Sequence, residues 1–473
     1  MIKYYNEPRR VAYEAIKISA ADLKRPEEVL KTMDRLLSLK DQRLAQSLVY
    51  ESLRHRLRLE YIINSKTPKG RPPKKALLVL TIGLVQLLFL DRIPSFAAVH
   101  ETVELAKAVI PELSGLVNAV MVKLAGERDL KVKNPENIFP IENCDRNLSS
   151  LERLSIFYSY PIWLVKKIVQ ELGFREARAF LAAGNVHPRP TIRINPLKTT
   201  RNEFIKQAPA VPTIFSPYGL TPPLTSASKA AGPASLESGQ ATPVDAGLWA
   251  SGTVESWPGF KEGLFSVQDE ASQILPLLVG HPQRILDGCA GLGGKTLGLA
   301  TVFPEATIVA VDTSAKRLQQ IPLEAQRLGL AKVPQIIRCD LRQLRQFKEN
   351  FDLVLVDAPC SSLGVLRRRP DIKWKVSQKD IEEKAALQLE LLIKASEFVT
   401  SGGRLVYSVC TFTPEEGHEV VFKFLAKKSD FALLEPEKFS PNLQGLFVGP
   451  GQVRLWTHRN NTDSFFYGLL EKK

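Results

Sequence analysis

A chain of 473 residues, 44% of them hydrophobic, has room for two to four domains with sizeable cores. Its formal net charge of +14 and sequence pI near 9.4 point to a polyanionic partner, or merely to solubility. Five scattered cysteines (Cys144, Cys289, Cys339, Cys360 and Cys410) argue against a disulfide framework, and the lack of paired C-x-x-C spacing argues against structural zinc, so a reducing, cytoplasmic setting is expected.

The start of the chain, Met1 to Pro8, lacks the apolar core of a signal peptide. Residues 1–133 carry 24 Lys plus Arg against 15 Asp plus Glu, so this segment holds most of the basic excess. Apolar residues at three-and-four spacing predict helices over 43–63, 76–90 and 97–109, punctuated by Pro68, Pro72, Pro73, Pro94 and Pro111. The stretch 76–90 is short for a membrane span and is interrupted by Thr81, Gly83 and Gln86, which predicts a buried core helix. Arg54, Arg56, Arg58, Lys66, Lys69, Arg71, Lys74 and Lys75 face one acid, Glu60, and form a candidate phosphate-binding patch. The run Arg92-Ile93-Pro94 leading into Ala97-Ala98-Val99-His100-Glu101-Thr102-Val103-Glu104 makes this all-α front similar to the RNA-binding fold of the antitermination factor NusB.

Residues 131–147 read as a polar linker. A small mixed α/β unit, of an RNA-recognition kind, is expected over 148–260. Tyr160-Pro161-Ile162-Trp163-Leu164 opens a helix in it, and Pro190-Thr191-Ile192-Arg193-Ile194-Asn195 is an alternating strand. Residues 222–245 are rich in Pro, Ser, Ala and Gly and predict a flexible insertion. From 261 to 473 the period changes. Strands are expected at 284–287, 307–312, 335–338, 351–357, 404–408, 452–457 and near 464–469, with helices over 315–328, 378–399 and 415–427. Such alternation predicts a doubly wound, Rossmann-like parallel sheet.

After the first of these strands comes Asp287-Gly288-Cys289-Ala290-Gly291-Leu292-Gly293-Gly294-Lys295-Thr296. A P-loop reading fails its register by one residue, and a dinucleotide fingerprint finds Thr296 where its third glycine belongs. S-adenosylmethionine has no pyrophosphate and needs glycines for close backbone approach plus a carboxylate for the ribose. Cys289, Ala290, Gly291, Leu292, Gly293, Gly294 and Lys295 are the candidate loop. Asp312 would take the ribose and Asp340 the adenine amine, with Asp357 at a further strand end. Cys360 and Cys410 each follow a predicted strand whose carboxyl end faces the crevice of an open sheet. Two thiols beside a carboxylate suit attack on an electron-poor pyrimidine ring, and the residues alone leave open which thiol attacks.

Five segments then carry a resemblance: Val267-Gln268-Asp269-Glu270-Ala271-Ser272, the glycine loop, Asp357-Ala358-Pro359-Cys360-Ser361, Arg367-Arg368-Arg369-Pro370-Asp371-Ile372-Lys373-Trp374, and Tyr407-Ser408-Val409-Cys410-Thr411. The last two hundred residues resemble the catalytic domain of the NOL1/NOP2/Sun RNA cytosine-5 methyltransferases. With the NusB-like front, the whole chain is similar to the bacterial small-subunit rRNA members of that family. Gly291-Leu292 replaces the family's Ala-Pro, and Asp463-Ser464-Phe465-Phe466 replaces D-G-F-F. The resemblance implies S-adenosylmethionine as cofactor and 16S rRNA, or a small-subunit assembly particle, as substrate. It implies Cys410 as nucleophile, Cys360 in product release and Asp357 at the base. Lys295 would orient the reactants or pair with Asp357, while Cys289 and Cys339 would pack. Arg367, Arg368, Arg369 and Lys373 are expected on phosphates, with Trp374 stacking on a base. A monomer without metal or membrane is expected. A tRNA substrate and a non-catalytic RNA-binding assembly factor are the alternatives, and the glycine pattern disfavours a nicotinamide oxidoreductase.

Overall fold

Helices α1 (Pro8–Ala20), α2 (Pro26–Met33), α3 (Leu39–Arg54), α4 (Arg56–Lys66), α5 (Lys74–Phe89), α6 (Ser95–Val109) and α7 (Ser114–Gly126) share one core, built on Leu48, Val49, Ile62, Leu80, Val85, Leu105 and Met121. The computed structural model describes residues 7–20, 25–33, 37–68, 70–126, 147–223, 254–345 and 347–473. Lys69, Cys144, nearly all of the 131–147 linker and the insertion from 224 onward lie outside the described residues. Two compact units result, one of residues 1–186 with 366–375, the other of 187–365 with 376–473. Among the described residues no helix is long and apolar enough to cross a membrane. Helix α5 is buried almost throughout, the core helix its sequence predicts.

The single helix expected over 43–63 is two. His55, at φ −112° and ψ 20°, ends α3 and starts α4. Its ring is buried, stacked on Phe89 at 4.4 Å, with Nε2 3.5 Å from Glu51. Burial, which penalises the charged ring, pushes its pKa down to about 4 against the opposing pull of Glu51. Between that value and about 6.5 the unfolded chain binds the proton and the folded chain does not. Stability is therefore complete above pH 6.5 and is lost as pH falls toward 4, by up to about 3 kcal/mol. Denaturant titrations of the wild type and His55→Phe across this range should show the slope in the wild type and a flatter line in the variant.

A helix that stops at Arg54 leaves its last carbonyls without partners. The donors come from residues 366–375, which fold into this first unit. Trp374 Nε1 donates to Leu53 O at 2.7 Å, and Lys373 Nζ donates to Arg54 O at 3.0 Å. The same ammonium donates to Ser159 O (3.1 Å) and Asn185 Oδ1 (2.9 Å), and lies 3.9 Å from the Tyr160 ring centroid. Ser159 caps the helix Ser150–Tyr158, and Asn185 follows the helix Ile162–Ala183. Lys373 thus sits where three helices end, the negative pole of each dipole. This overturns the RNA-contact expectation for Lys373 and Arg367, while the Trp374 ring is half-buried with Arg56 over it at 5.2 Å. Lys373 is fully buried, Arg367 is 5% exposed and its carbonyl accepts from Arg54 at 2.9 Å, and the Trp374 indole N–H is already spent. Arg54 and Arg58 also leave the predicted patch. They are buried, Arg54 against Glu51 and Arg58 over the Phe157 ring at 4.8 Å. Arg56, Arg71, Lys74 and Lys75 remain exposed, Arg56 being paired with Glu60.

In the second unit, strands β1 (Ile192–Ile194), β2 (Val211–Pro212), β3 (Gly219–Thr221) and β4 (Phe265–Val267) form an antiparallel sheet in the order β2-β3-β1-β4. Its sheet thus reaches past residue 260, because β4 pairs with β1. The larger sheet comprises β5 (Arg284–Asp287), β6 (Thr307–Asp312), β7 (Gln335–Arg338), β8 (Phe351–Asp357), β9 (Val399–Val409), β10 (Phe431–Leu433), β11 (Phe447–Gly449), β12 (Gln452–Leu455) and β13 (Phe465–Lys472). Its order is β11-β12-β13-β9-β8-β5-β6-β7, with β10 on β13. Strands β5 to β9 are parallel, as predicted; the apolar runs of β5, β6, β8 and the second half of β9 are buried by helices on both faces, and β7 at the sheet edge is largely exposed. The last strands correct the all-parallel expectation. β13 runs antiparallel to β9 and to β12, since the short connection between β12 and β13 cannot make a parallel crossover.

Candidate active site

Five parallel strands bring the ends of β5, β6, β7, β8 and β9 to one edge of the sheet, where the chemistry-bearing residues gather. Asp287 closes β5 and is buried. Thr296 Oγ1 donates to its Oδ2 at 2.7 Å and the Cys289 N–H to its Oδ1 at 3.3 Å. Burial is the main cause that pushes its pKa up to about 7. The carboxylate braces the glycine loop from beneath. Gly291 (φ +57°) and Gly293 (φ +86°) take left-handed backbone, and a Cβ on Gly293 would lie 2.7 Å from Ile321 Cγ1. A Cβ on Gly291 would meet nothing within 4 Å, so that face of the loop is open.

Asp312, at the end of β6, accepts from Gly291 N at 3.0 Å and from Ser314 N at 2.8 Å, so the loop and this carboxylate are one assembly. Asp340 follows β7, where it accepts the Arg342 N–H at 2.9 Å and pairs with that guanidinium at 2.7 Å. Arg342, foremost, lowers its pKa. Cys289 and Cys339 pack against the core beside β5 and β7, as the sequence reading has them. Burial first, then the nearby carboxylates, raises the Cys289 pKa well above that of a free thiol. Leu292, the departure from the family loop, is exposed.

Asp357 closes β8 opposite Ser408 of β9. Ser408 Oγ donates to its Oδ1 at 2.8 Å, and Lys295 Nζ lies 2.7 Å from its Oδ2. The Lys295 ammonium also sits 4.6 Å from the Phe465 ring centroid, which a cation favours. Of the two roles open to Lys295, the observed one is pairing with Asp357.

Cys360 follows the end of β8 and Cys410 the end of β9, and the adjacent strands bring the thiols together. Cys360 Sγ and Cys410 Sγ stand 3.3 Å apart. That contact titrates as a pair and makes the two sulfurs unequal. The hydrogen bond from Cys360 is the first cause that lowers the Cys410 pKa, with Ser362 and Lys295 acting in the same direction. The same bond, and then burial, raises the Cys360 pKa well above that of an ordinary thiol. Either sulfur can donate across this contact, and the opposed shifts favour charge on Cys410 over charge on Cys360.

Glu416 was not legible in the sequence, and it fixes both cysteine loops. This fully buried carboxylate accepts from Ser361 N (2.7 Å), Ser361 Oγ, Thr413 Oγ1 (2.9 Å) and Gln388 Nε2 (3.1 Å). Gln388 also holds Pro359 O at 3.0 Å. Gly364 completes the clamp by donating to Cys410 O at 2.9 Å, an approach at which a Cβ would lie 2.8 Å from the same oxygen. A capping-box spacing, Thr413 to Glu416, was the signal available, and it reads as an ordinary helix start.

Family models match along most of the chain: "NusB family" over residues 7–126, an RsmF/B-like ferredoxin-like domain over 160–209, and "16S rRNA methyltransferase RsmB/F" over 276–471. The chain is 32% identical to a probable ribosomal RNA small subunit methyltransferase B of Synechocystis, over 98% of this chain and 96% of that protein. It is 33% identical to a ribosomal RNA small subunit methyltransferase B of Klebsiella pneumoniae, over 98% of each. Among solved structures, PH0851 matches with a TM-score of 0.72 at 23% identity, over 98% of this chain and 99% of that one. NSun6 from Pyrococcus horikoshii matches with a TM-score of 0.53 at 22% identity, over 67% of this chain and 99% of that one.

Proposed function

The chain belongs to the ribosomal RNA small subunit methyltransferase B family, and from that premise we propose that it methylates carbon 5 of a cytidine in 16S rRNA through a covalent Cys410 adduct. The observation that carries this reading is the unequal thiol pair, 3.3 Å apart, beside the Asp357–Lys295 ion pair at the strand ends.

The glycine loop fits S-adenosylmethionine. Gly291 leaves its outer face open, and Asp312 stands at the next strand end, where a ribose acceptor is needed. Cys289, Ala290, Gly291, Leu292, Gly293, Gly294 and Lys295 would line that cofactor with Asp312, Asp340 and Asp357. When bound, it supplies an electrophilic sulfonium methyl. The protein's part is to make a weak carbon nucleophile competent. Cys410 thiolate adds to carbon 6 of the cytosine, which turns the ring into an enamine nucleophilic at carbon 5. Asp357, held by Ser408 and Lys295, accepts from the exocyclic amine at the base edge, and the Lys295 ammonium beside it meets the negative charge that thiolate addition places on the ring. After methylation, a base removes the carbon 5 proton, the carbon–sulfur electron pair returns to Cys410, and the ring regains its double bond. Cys360 assists release of the product. The base must leave its stack to reach these groups. Arg71, Lys74 and Lys75, exposed on the first unit, supply phosphate contacts.

Incubation with methyl-labelled S-adenosylmethionine and separate 16S and tRNA transcripts tests the substrate. Label in 16S alone is expected. Label in tRNA alone would move the reading to the tRNA enzymes, and none in either would leave an RNA-binding assembly factor. Asp312→Ala should weaken cofactor binding by roughly tenfold or more, because the ribose hydroxyls lose their acceptor and the Gly291 N–H its anchor. Calorimetry with cofactor, set beside an RNA titration that stays unchanged, checks this.

A further inference from the structure

Ser362 is one of three non-glycine residues with left-handed backbone among the described residues, at φ +59°. That conformation is strained for an L residue, and such strain gathers where function holds a side chain in place. Here it turns the Ser362 hydroxyl between the two sulfurs. Its Oγ lies 3.7 Å from Cys410 Sγ and 3.9 Å from Cys360 Sγ, while its backbone N–H is directed at Cys360. The neighbouring Ser361 does different work, since its hydroxyl and N–H are both given to Glu416.

Building on the assignment of Cys410 as nucleophile, we propose that Ser362 is a further catalytic residue, whose hydroxyl donates to the Cys410 sulfur whenever that sulfur is a thiolate. A hydroxyl both accepts and donates. Against the neutral thiol it accepts the S–H of Cys410, and against the thiolate it rotates and donates. The site needs this second donor. Cys360, 3.3 Å from the Cys410 sulfur, has one S–H, and a Cys360 engaged in product release cannot hold the leaving sulfur too. When the carbon–sulfur bond breaks and its electron pair returns to Cys410, Ser362 remains to stabilise the charge. The other groups that face this sulfur are Cys360, Asp357 at the end of β8, and Lys295 from the helix that follows the glycine loop. Asp357 opposes the thiolate, and its ion pair with Lys295 limits that opposition.

The test uses the full-length protein and iodoacetamide, with alkylation of Cys410 followed against pH by peptide mass. Ser362→Ala and Ser362→Gly both remove the hydroxyl, whereas only glycine also relieves the left-handed backbone. Both variants should shift the alkylation midpoint upward and slow Cys410 alkylation at neutral pH by roughly threefold or more. Cofactor affinity should be unchanged in both. A profile unchanged in both variants would overturn the proposal. So would slowing in the alanine variant that glycine restores, which would assign the effect to the backbone. No RNA enters this assay, so its result stands apart from whether Cys410 or Cys360 proves to attack the base.

Discussion

Cys410→Ala should abolish methylation together with any covalent protein–RNA species, whereas Cys360→Ala should accumulate that species. The first change removes the thiolate that adds to carbon 6. The second removes the group assigned to release, so addition and methyl transfer proceed and the adduct stalls. A band that survives denaturing electrophoresis, present in Cys360→Ala and absent from the double variant, is the expected result. Its appearance in Cys410→Ala instead would make Cys360 the nucleophile. The Cys360→Ala protein also loses the hydrogen bond that foremost lowers the Cys410 pKa, so its addition step should slow at neutral pH and recover as pH rises.

Lys373→Met should destabilise the first unit by about 3 kcal/mol or more, since each buried acceptor left without its donor costs about 1–3 kcal/mol. Methionine keeps much of the volume but leaves Arg54 O, Ser159 O and Asn185 Oδ1 without their shared donor. Burial drives the Lys373 pKa well below that of a free lysine, with Arg54 adding to the effect and Glu51 opposing it, so the neutral amine is closer at hand here than on a surface. Denaturant unfolding followed by circular dichroism measures the loss. A variant of native stability with weakened RNA binding would return Lys373 to the phosphate-contact role that its sequence context suggests.

That residue marks the boundary of what the sequence shows. The strands over 284–287, 307–312, 335–338 and 351–357 coincide with β5, β6, β7 and β8; all but the exposed β7 were legible because buried parallel strands are short apolar runs bounded by turn residues. Asp287, Asp312 and Asp357 at their ends were readable for the same reason. The antiparallel return of β13 was not, since alternation gives strand identity and leaves strand direction open. Arg54, Arg58 and Lys373 misled because a cluster of cations in sequence reads as an exposed phosphate-binding surface. Only the break at His55, which leaves helix carbonyls to be paired, turns Lys373 and Trp374 inward. Glu416 was hidden for a related reason. A buried carboxylate needs several donors, and its partners Ser361, Gln388 and Thr413 come from three separate segments. Deleting residues 1–133 would also remove the carbonyls that receive Lys373 and Trp374. Replacing Arg71, Lys74 and Lys75 is therefore the cleaner probe of the basic surface.

Substitution at carbon 5 through an adduct has one direct signature, which is loss of the hydrogen that carbon 5 carries. A 16S transcript made with cytidine tritiated at carbon 5, incubated with the protein and S-adenosylmethionine, should release tritium to water one-for-one with methyl groups gained. Cys410→Ala should release none. Methyl transfer without tritium release would place the methyl on another atom and contradict the account.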